Sequence, residues 1–149
     1  MTTTRQGRRL LQIGVALLIF CSVEGFVIPF FPFPRLGLSV HTLSALQSVM
    51  LLAFGLLWPK LNLGTAMSRV AWWSFVYSAF ATLVPYVLAA IWGVGNSTIP
   101  LAAGGAHGSP AQEIVIKVVL YSAAPTVLVA LVLILWGLRA PSRAEDEAW

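Results

Sequence analysis

Few side chains in this sequence can do chemistry, and the most informative is a histidine near the start of an apolar run. His41 follows Phe33-Pro34-Arg35-Leu36-Gly37-Leu38-Ser39-Val40. Pro34 disfavours the α conformation at Phe33, and Ser39 is expected to cap a new helix. That places His41 about half a turn inside the helix. Helical spacing then aligns it with Ser44, Ala45, Ser48, Leu52 and Gly55. The stripe is small and partly polar on an otherwise apolar segment. An unpaired polar group in hydrocarbon costs several kcal/mol, so the stripe is expected to face protein. Imidazole is a common ligand of iron and zinc. The plainer alternative is a histidine hydrogen-bonded to a neighbouring carbonyl. No second histidine lies in a candidate helix. A bis-histidine cytochrome and a three-ligand zinc site are therefore poorly served by one chain. A lone axial histidine on haem, with the opposite iron face open, stays in play.

Other polar residues in apolar runs form the remaining candidate set, because each must be satisfied or functional. Gln47 sits off to one side of the stripe and can hydrogen-bond a ligand or a neighbouring helix. For Ser48, helix–helix hydrogen bonding is the simpler role. Tyr86 follows Pro85, which is expected to kink its helix, and its phenol can donate or accept. It adjoins the small-residue face Ser74, Ser78, Ala81, Thr82 and Pro85. Glu24 is the most costly residue in the first apolar run, a functional candidate that is either protonated or paired with Tyr86 or Gln47. Glu113 and Lys117 have the spacing of a helical ion pair, and Glu113 also bounds a candidate pocket. His107, in a Gly-rich loop, is expected to be solvated.

The elements that must position these residues are all helices in lipid. The chain has 149 residues, 58% hydrophobic and only 9% charged, where a soluble domain carries about 25% charge. A transmembrane helix needs about 20 apolar residues. Four stretches qualify: Leu10–Phe31, Val40–Trp58, Val70–Trp92 and Ala111–Leu138, with a charged tail Arg139–Trp149. The fold class expected is an all-α integral membrane four-helix bundle, one domain over residues 1–149. Arg5, Arg8, Arg9, Lys60, Arg69, Arg139 and Arg143 fall on one side. Both termini are then cytoplasmic by the positive-inside rule. The net charge of +4 thus reflects orientation in a bacterial-type cytoplasmic membrane rather than nucleic-acid binding. The arginines before the first run resemble a signal peptide, but no small-x-small site follows, so the run is expected to be retained. Cys21 is the single cysteine, which excludes a disulfide within the chain. The long Gly-rich connection Gly93–Pro110 is expected to act as a lid or wall. Trp58, Trp72, Trp73, Trp92 and Trp136 are expected to anchor at the interfaces.

The sequence Pro-Arg-Leu-Gly-Leu-Ser-Val-His from Pro34, with Leu46-Gln47-Ser48, resembles the small four-span membrane isomerases, the hydroxylaminobenzene mutases and styrene oxide isomerases. Leu57-Trp58-Pro59-Lys60-Leu61, Ile99-Pro100-Leu101-Ala102-Ala103-Gly104 and Trp136-Gly137-Leu138-Arg139 agree in order. The resemblance covers roughly Leu10 to Arg139. It implies a homotrimer binding haem b near the subunit interface, with His41 as axial ligand. It also implies that Tyr86 lies near the substrate, and that Gln47 stands where the isomerase has an asparagine. The wording of the turn leans toward the mutase branch: aryl hydroxylamine in, 2-aminophenol out, on ferric iron acting as a Lewis acid. The related alternative is epoxide to aldehyde. Phe75 and Trp72 are expected to line the apolar wall, with Glu24, Ser44, Ser48 and Glu113 as further pocket residues. From another class, four spans with one acid in the first also suit a proton-coupled multidrug transporter, with Glu24 as the exchanging acid. An assembly subunit without chemistry is the plainest reading.

Overall fold

A computed structural model describes residues 4–139. The expected tail beyond Arg139 lies outside the described residues. Among those described, every regular element is helical: α1 (Arg5–Glu24), α2 (Pro34–Leu57), α3 (Thr65–Trp92), the short α4 (Pro100–Ala103) and α5 (Pro110–Arg139). Short 3-10 turns, Ile28–Phe30 and Trp58–Lys60, flank α2. The four long helices are each long and apolar enough to cross a membrane.

Proline and glycine set the boundaries, and two expectations need correction. The first helix ends at Glu24, with Gly25 as its C-cap, and does not run on to Phe31. Pro29, Pro32 and Pro34 lie close together, and the chain turns there. The second helix begins at Pro34 rather than Val40. Phe33 is extended at the cap (φ −129°, ψ 94°), and proline suits the first helical position because its missing N–H has no partner to lose there. Ser39 is therefore no cap. It lies inside α2 and donates to the Arg35 carbonyl (3.0 Å). His41 then sits roughly two turns into the helix.

Helices α1 and α2 pack antiparallel with near-contact of their backbones. A Cβ on Gly7 would lie 2.7 Å from the Gly55 carbonyl oxygen, and one on Gly14 would lie 3.1 Å from that of Ser48. Ser48 donates its hydroxyl to the Gly14 carbonyl. Small residues permit this approach, and the freed space admits a hydrogen bond between helices. The second pair is α3 with α5, where Tyr77 and Ser122 hydroxyls meet at 2.7 Å. Phe54 of α2 meets Phe75 of α3 edge-to-face at 4.9 Å and joins the two pairs.

At the end where α1 begins, Gln6 is a hub. Its side-chain oxygen accepts from Trp58 Nε1 (3.1 Å) and Ser68 Oγ (2.8 Å), and its carbonyl accepts from Trp72 Nε1 (3.2 Å). Trp58 and Trp72 are thus turned inward and buried, whereas Trp73 and Trp136 are largely exposed, as interfacial anchors are. Phe75 is a core residue, and Trp72 is at the far end from His41, so neither lines a wall near it.

The connection after α3 turns at Gly93 (φ +66°), which glycine adopts without steric cost. Glu113 does not pair with Lys117, whose ammonium instead lies 6.0 Å from the Tyr121 ring. It accepts from the backbone N–H groups of Gly95 (3.0 Å), Gly108 (3.2 Å) and Ser97 (3.3 Å), and from the Ser97 hydroxyl. Charge-assisted bonds of this kind contribute about 1.5–3 kcal/mol each. Glu113→Ala is expected to free the connection. Proteolysis should then cut between residues 93 and 110 at least tenfold faster than in wild type.

Candidate functional site

The last turn of α1 with its cap and the early turns of α2 bring five residues together. His41 Nδ1 lies 3.2 Å from Glu24 Oε2. The Cys21 thiol donates to the His41 carbonyl (3.4 Å), and its sulfur lies 3.5 Å from Nδ1 and 3.8 Å from Nε2. A Cβ on Gly25 would sit 3.1 Å from His41 Cε1, so the ring occupies the space glycine leaves. Ser44 donates to the His41 carbonyl (2.9 Å). The Glu24 side chain is 5% exposed and that of His41 is 36% exposed. The imidazole is therefore held from inside the bundle while part of it reaches the bundle's outer surface.

Glu24 is thus paired, but with His41 and not with Tyr86 or Gln47. Its second oxygen, Oε1, is buried without a partner among the described residues. Glu24 is also the polar member of a cavity of about 240 Å³ whose other walls include Phe20, Val23, Phe31, Val40 and Val87.

Tyr86 stands apart from this centre. It lines an open cleft of about 540 Å³ with Arg35 and Ser39 at the start of α2 and residues Thr98–Ala102 of the third connection. The connection is therefore a wall, as its length suggested. Glu113 bounds the cleft indirectly, by tying that connection down. Gln47 is half-buried on α2, and Ser48 is committed to packing against α1. His107 is exposed and its Nε2 lies 3.1 Å from Asn96 Nδ2.

Cys21 and Gly25 were not singled out from the sequence. Their signal was present: residues 14, 17, 21 and 24 are all buried and follow helical spacing, so Cys21 shares Glu24's face. Among the described residues no three His, Cys, Asp or Glu side chains are placed so that they could hold one metal ion, the Cys21, Glu24 and His41 group included. The donor on offer is one imidazole with a carboxyl behind it.

No solved structure matches the chain. A family model described as styrene oxide isomerase matches residues 6–139. Hydroxylaminobenzene mutase HabB of Ectopseudomonas oleovorans is 44% identical over 95% of this chain and 87% of its own length. Hydroxylaminobenzene mutase HabA of the same organism is 32% identical over 84% of this chain and 93% of its own. Both proteins are matched almost end to end, by a chain of four membrane-type helices. The chain belongs to the styrene oxide isomerase family and is an isomerase.

Proposed function

We propose that this isomerase converts an aryl hydroxylamine into a 2-aminophenol, using haem b held by His41. The observation that carries the reaction is the 44% identity to HabB across nearly the whole of both chains. The rearrangement is internal: the N–O bond breaks, a C–O bond forms at the ortho carbon, and the displaced ring proton is replaced on nitrogen. Substrate and product have the same atoms, so no electron donor is consumed.

The residues present fit a haem ligand. His41 has one ring nitrogen engaged by a buried carboxyl, as metal-ligating histidines commonly do, and would hold the haem through the other at the bundle's flank. Haem iron, when bound, supplies Lewis acidity toward the substrate's oxygen. The chain's own residues do the rest. Tyr86 stands apart from His41 within one chain, so its phenol would reach the reacting oxygen only in the proposed trimer, where Gln47 would offer an amide from α2. Apolar walls keep water out, which strengthens each of these dipoles. A trimer that encloses the haem between subunits is part of the proposal. The partial exposure of the His41 ring at the flank of a single chain supports it. So is an orientation with both termini cytoplasmic. Arg5, Arg8, Arg9, Lys60, Arg69 and Arg139 all fall at the end knitted together by Gln6 and by the Asn62–Gly137 backbone bond (3.0 Å).

The test is direct. Purified protein given phenylhydroxylamine should release 2-aminophenol carrying no oxygen from labelled water, with a Soret band in its visible spectrum. Label in the product, or turnover by protein free of haem, overturns the reading. Tyr86→Phe is expected to keep the Soret band and lose about 100-fold in kcat, the scale of one lost donor at developing charge. The family model's description favours a second reading, epoxide to aldehyde. Styrene oxide turnover exceeding that of phenylhydroxylamine would select it. The match to an isomerase family over residues 6–139 counts against the transporter reading.

A further inference from the structure

Glu24 is an expensive residue to keep. Its carboxyl is buried, one oxygen has no partner among the described residues, and the other meets a single ring nitrogen. Burying such a group is unfavourable unless hydrogen bonding or pairing offsets its lost hydration. A carboxylate only accepts hydrogen bonds. With Glu24 ionised and the ring neutral, the nitrogen beside the carboxylate carries the proton and the lone pair stays on the other nitrogen. The surroundings leave the ring little freedom: Gly25 lies against its Cε1 edge, and the Cys21 sulfur lies against both nitrogens.

We propose that Glu24 is a positioning residue that locks His41 in the Nδ1–H tautomer, so that Nε2 is the atom offered to iron. What binds Nε2 rests on the function proposed above; the tautomer does not. A carboxylate behind a ligating imidazole also makes it a stronger donor, and losing such a partner lowers metal affinity about 10–100-fold.

The tautomer is read in haem-free protein at neutral pH by nitrogen NMR with labelled histidine, using His107→Asn to assign the two rings. Wild type should show a bare Nε2 and a protonated Nδ1. Glu24→Gln, nearly isosteric and still an acceptor, should keep that pattern, and Glu24→Leu should give a mixture. In the loaded protein the iron midpoint potential should rise from wild type to Glu24→Gln to Glu24→Leu, and haem affinity should fall in that order. A protonated Nε2 in wild type, or a Glu24→Leu protein with wild-type tautomer and potential, overturns the proposal. Wild type that shows the stated tautomer yet binds no haem sinks the haem reading and leaves the role of Glu24 standing.

A separate observation lies at the opposite end. Arg5 and Arg9, one turn apart on α1, and Arg69 of α3 line a cleft of about 530 Å³ with Thr65, Trp72 and Trp73. Among the described residues the carboxylates are Glu24 and Glu113, both at the other end of the bundle; Glu145, Asp146 and Glu147 lie outside the described residues. Three guanidinium groups around one hollow repel each other unless an anion sits among them. The hollow lies at the ends of membrane-type helices, beside the exposed Trp73, where interfacial headgroups would be met. We infer that it binds the phosphate headgroup of an anionic phospholipid. Phosphatidylglycerol added to detergent-purified protein should raise the melting temperature by several degrees, and phosphatidylcholine should not. Arg8→Gln, outside the cleft, should retain the shift. Arg69→Gln should reduce it, and the triple change of Arg5, Arg9 and Arg69 to Gln should abolish it. An equal shift from phosphatidylcholine, from inorganic phosphate alone, or in the triple variant overturns the assignment.

Discussion

His41→Ala is expected to abolish the Soret band and lower turnover at least 1000-fold, with helical content unchanged. Lewis-acid stabilisation is worth several kcal/mol, and each 1.36 kcal/mol is tenfold in rate. The fold should survive because the ring is partly exposed and its removal opens no closed core. The cost is a carboxyl left without its neighbour, about 1–3 kcal/mol. Glu24→Leu on top of His41→Ala should therefore recover thermal stability without recovering activity. Added imidazole, able to enter the space beside Gly25, should restore part of the Soret band in the single variant. A His41→Ala protein with wild-type spectrum and rate would end the haem reading.

Gly7→Val should do the largest damage to the scaffold. Its Cβ alone would lie 2.7 Å from the Gly55 carbonyl oxygen and 3.1 Å from Trp58 Cβ. Neither neighbour is the loose end of a flexible chain, so the two helices must separate. Overpacking of this kind costs about 1–3 kcal/mol. The separation also strains the Ser48–Gly14 bond and the Glu24–His41 contact, which are made across the same seam. Gly7→Val should lower the melting temperature by roughly 5 °C or more and cut activity, although Gly7 is far from His41. Gly64→Ala is the control, because nothing lies within 4 Å of its Cβ. Equal melting temperatures for the two variants would refute the close-packed seam.

The four apolar helices, and His41 as the residue to watch, were legible because hydropathy and helical period are local properties. What lies across a seam is not local. The spacing of His41 shows which face it occupies, not that Glu24 and Cys21 of another helix meet it there. The start of α2 was misplaced for a different reason. Proline reads equally as a breaker and as a first helical residue, and only the extended Phe33 decides between them. Trp58 and Trp72 looked like interfacial anchors because the sequence does not say that Gln6 supplies both with acceptors. Glu113 has the right spacing for Lys117, but free N–H groups in the neighbouring connection compete for the same carboxylate and satisfy it better.

The centre around His41 is drawn wholly from residues 21–44, on two successive helices that pair directly. Its contacts span few residues, so closing it carries little loop entropy. The imidazole's partners all lie on this first helical pair, and none comes from the half that carries Tyr86. The proposed haem ligand thus depends on the first helical pair alone, whereas the cleft lined by Tyr86 needs the second pair as well.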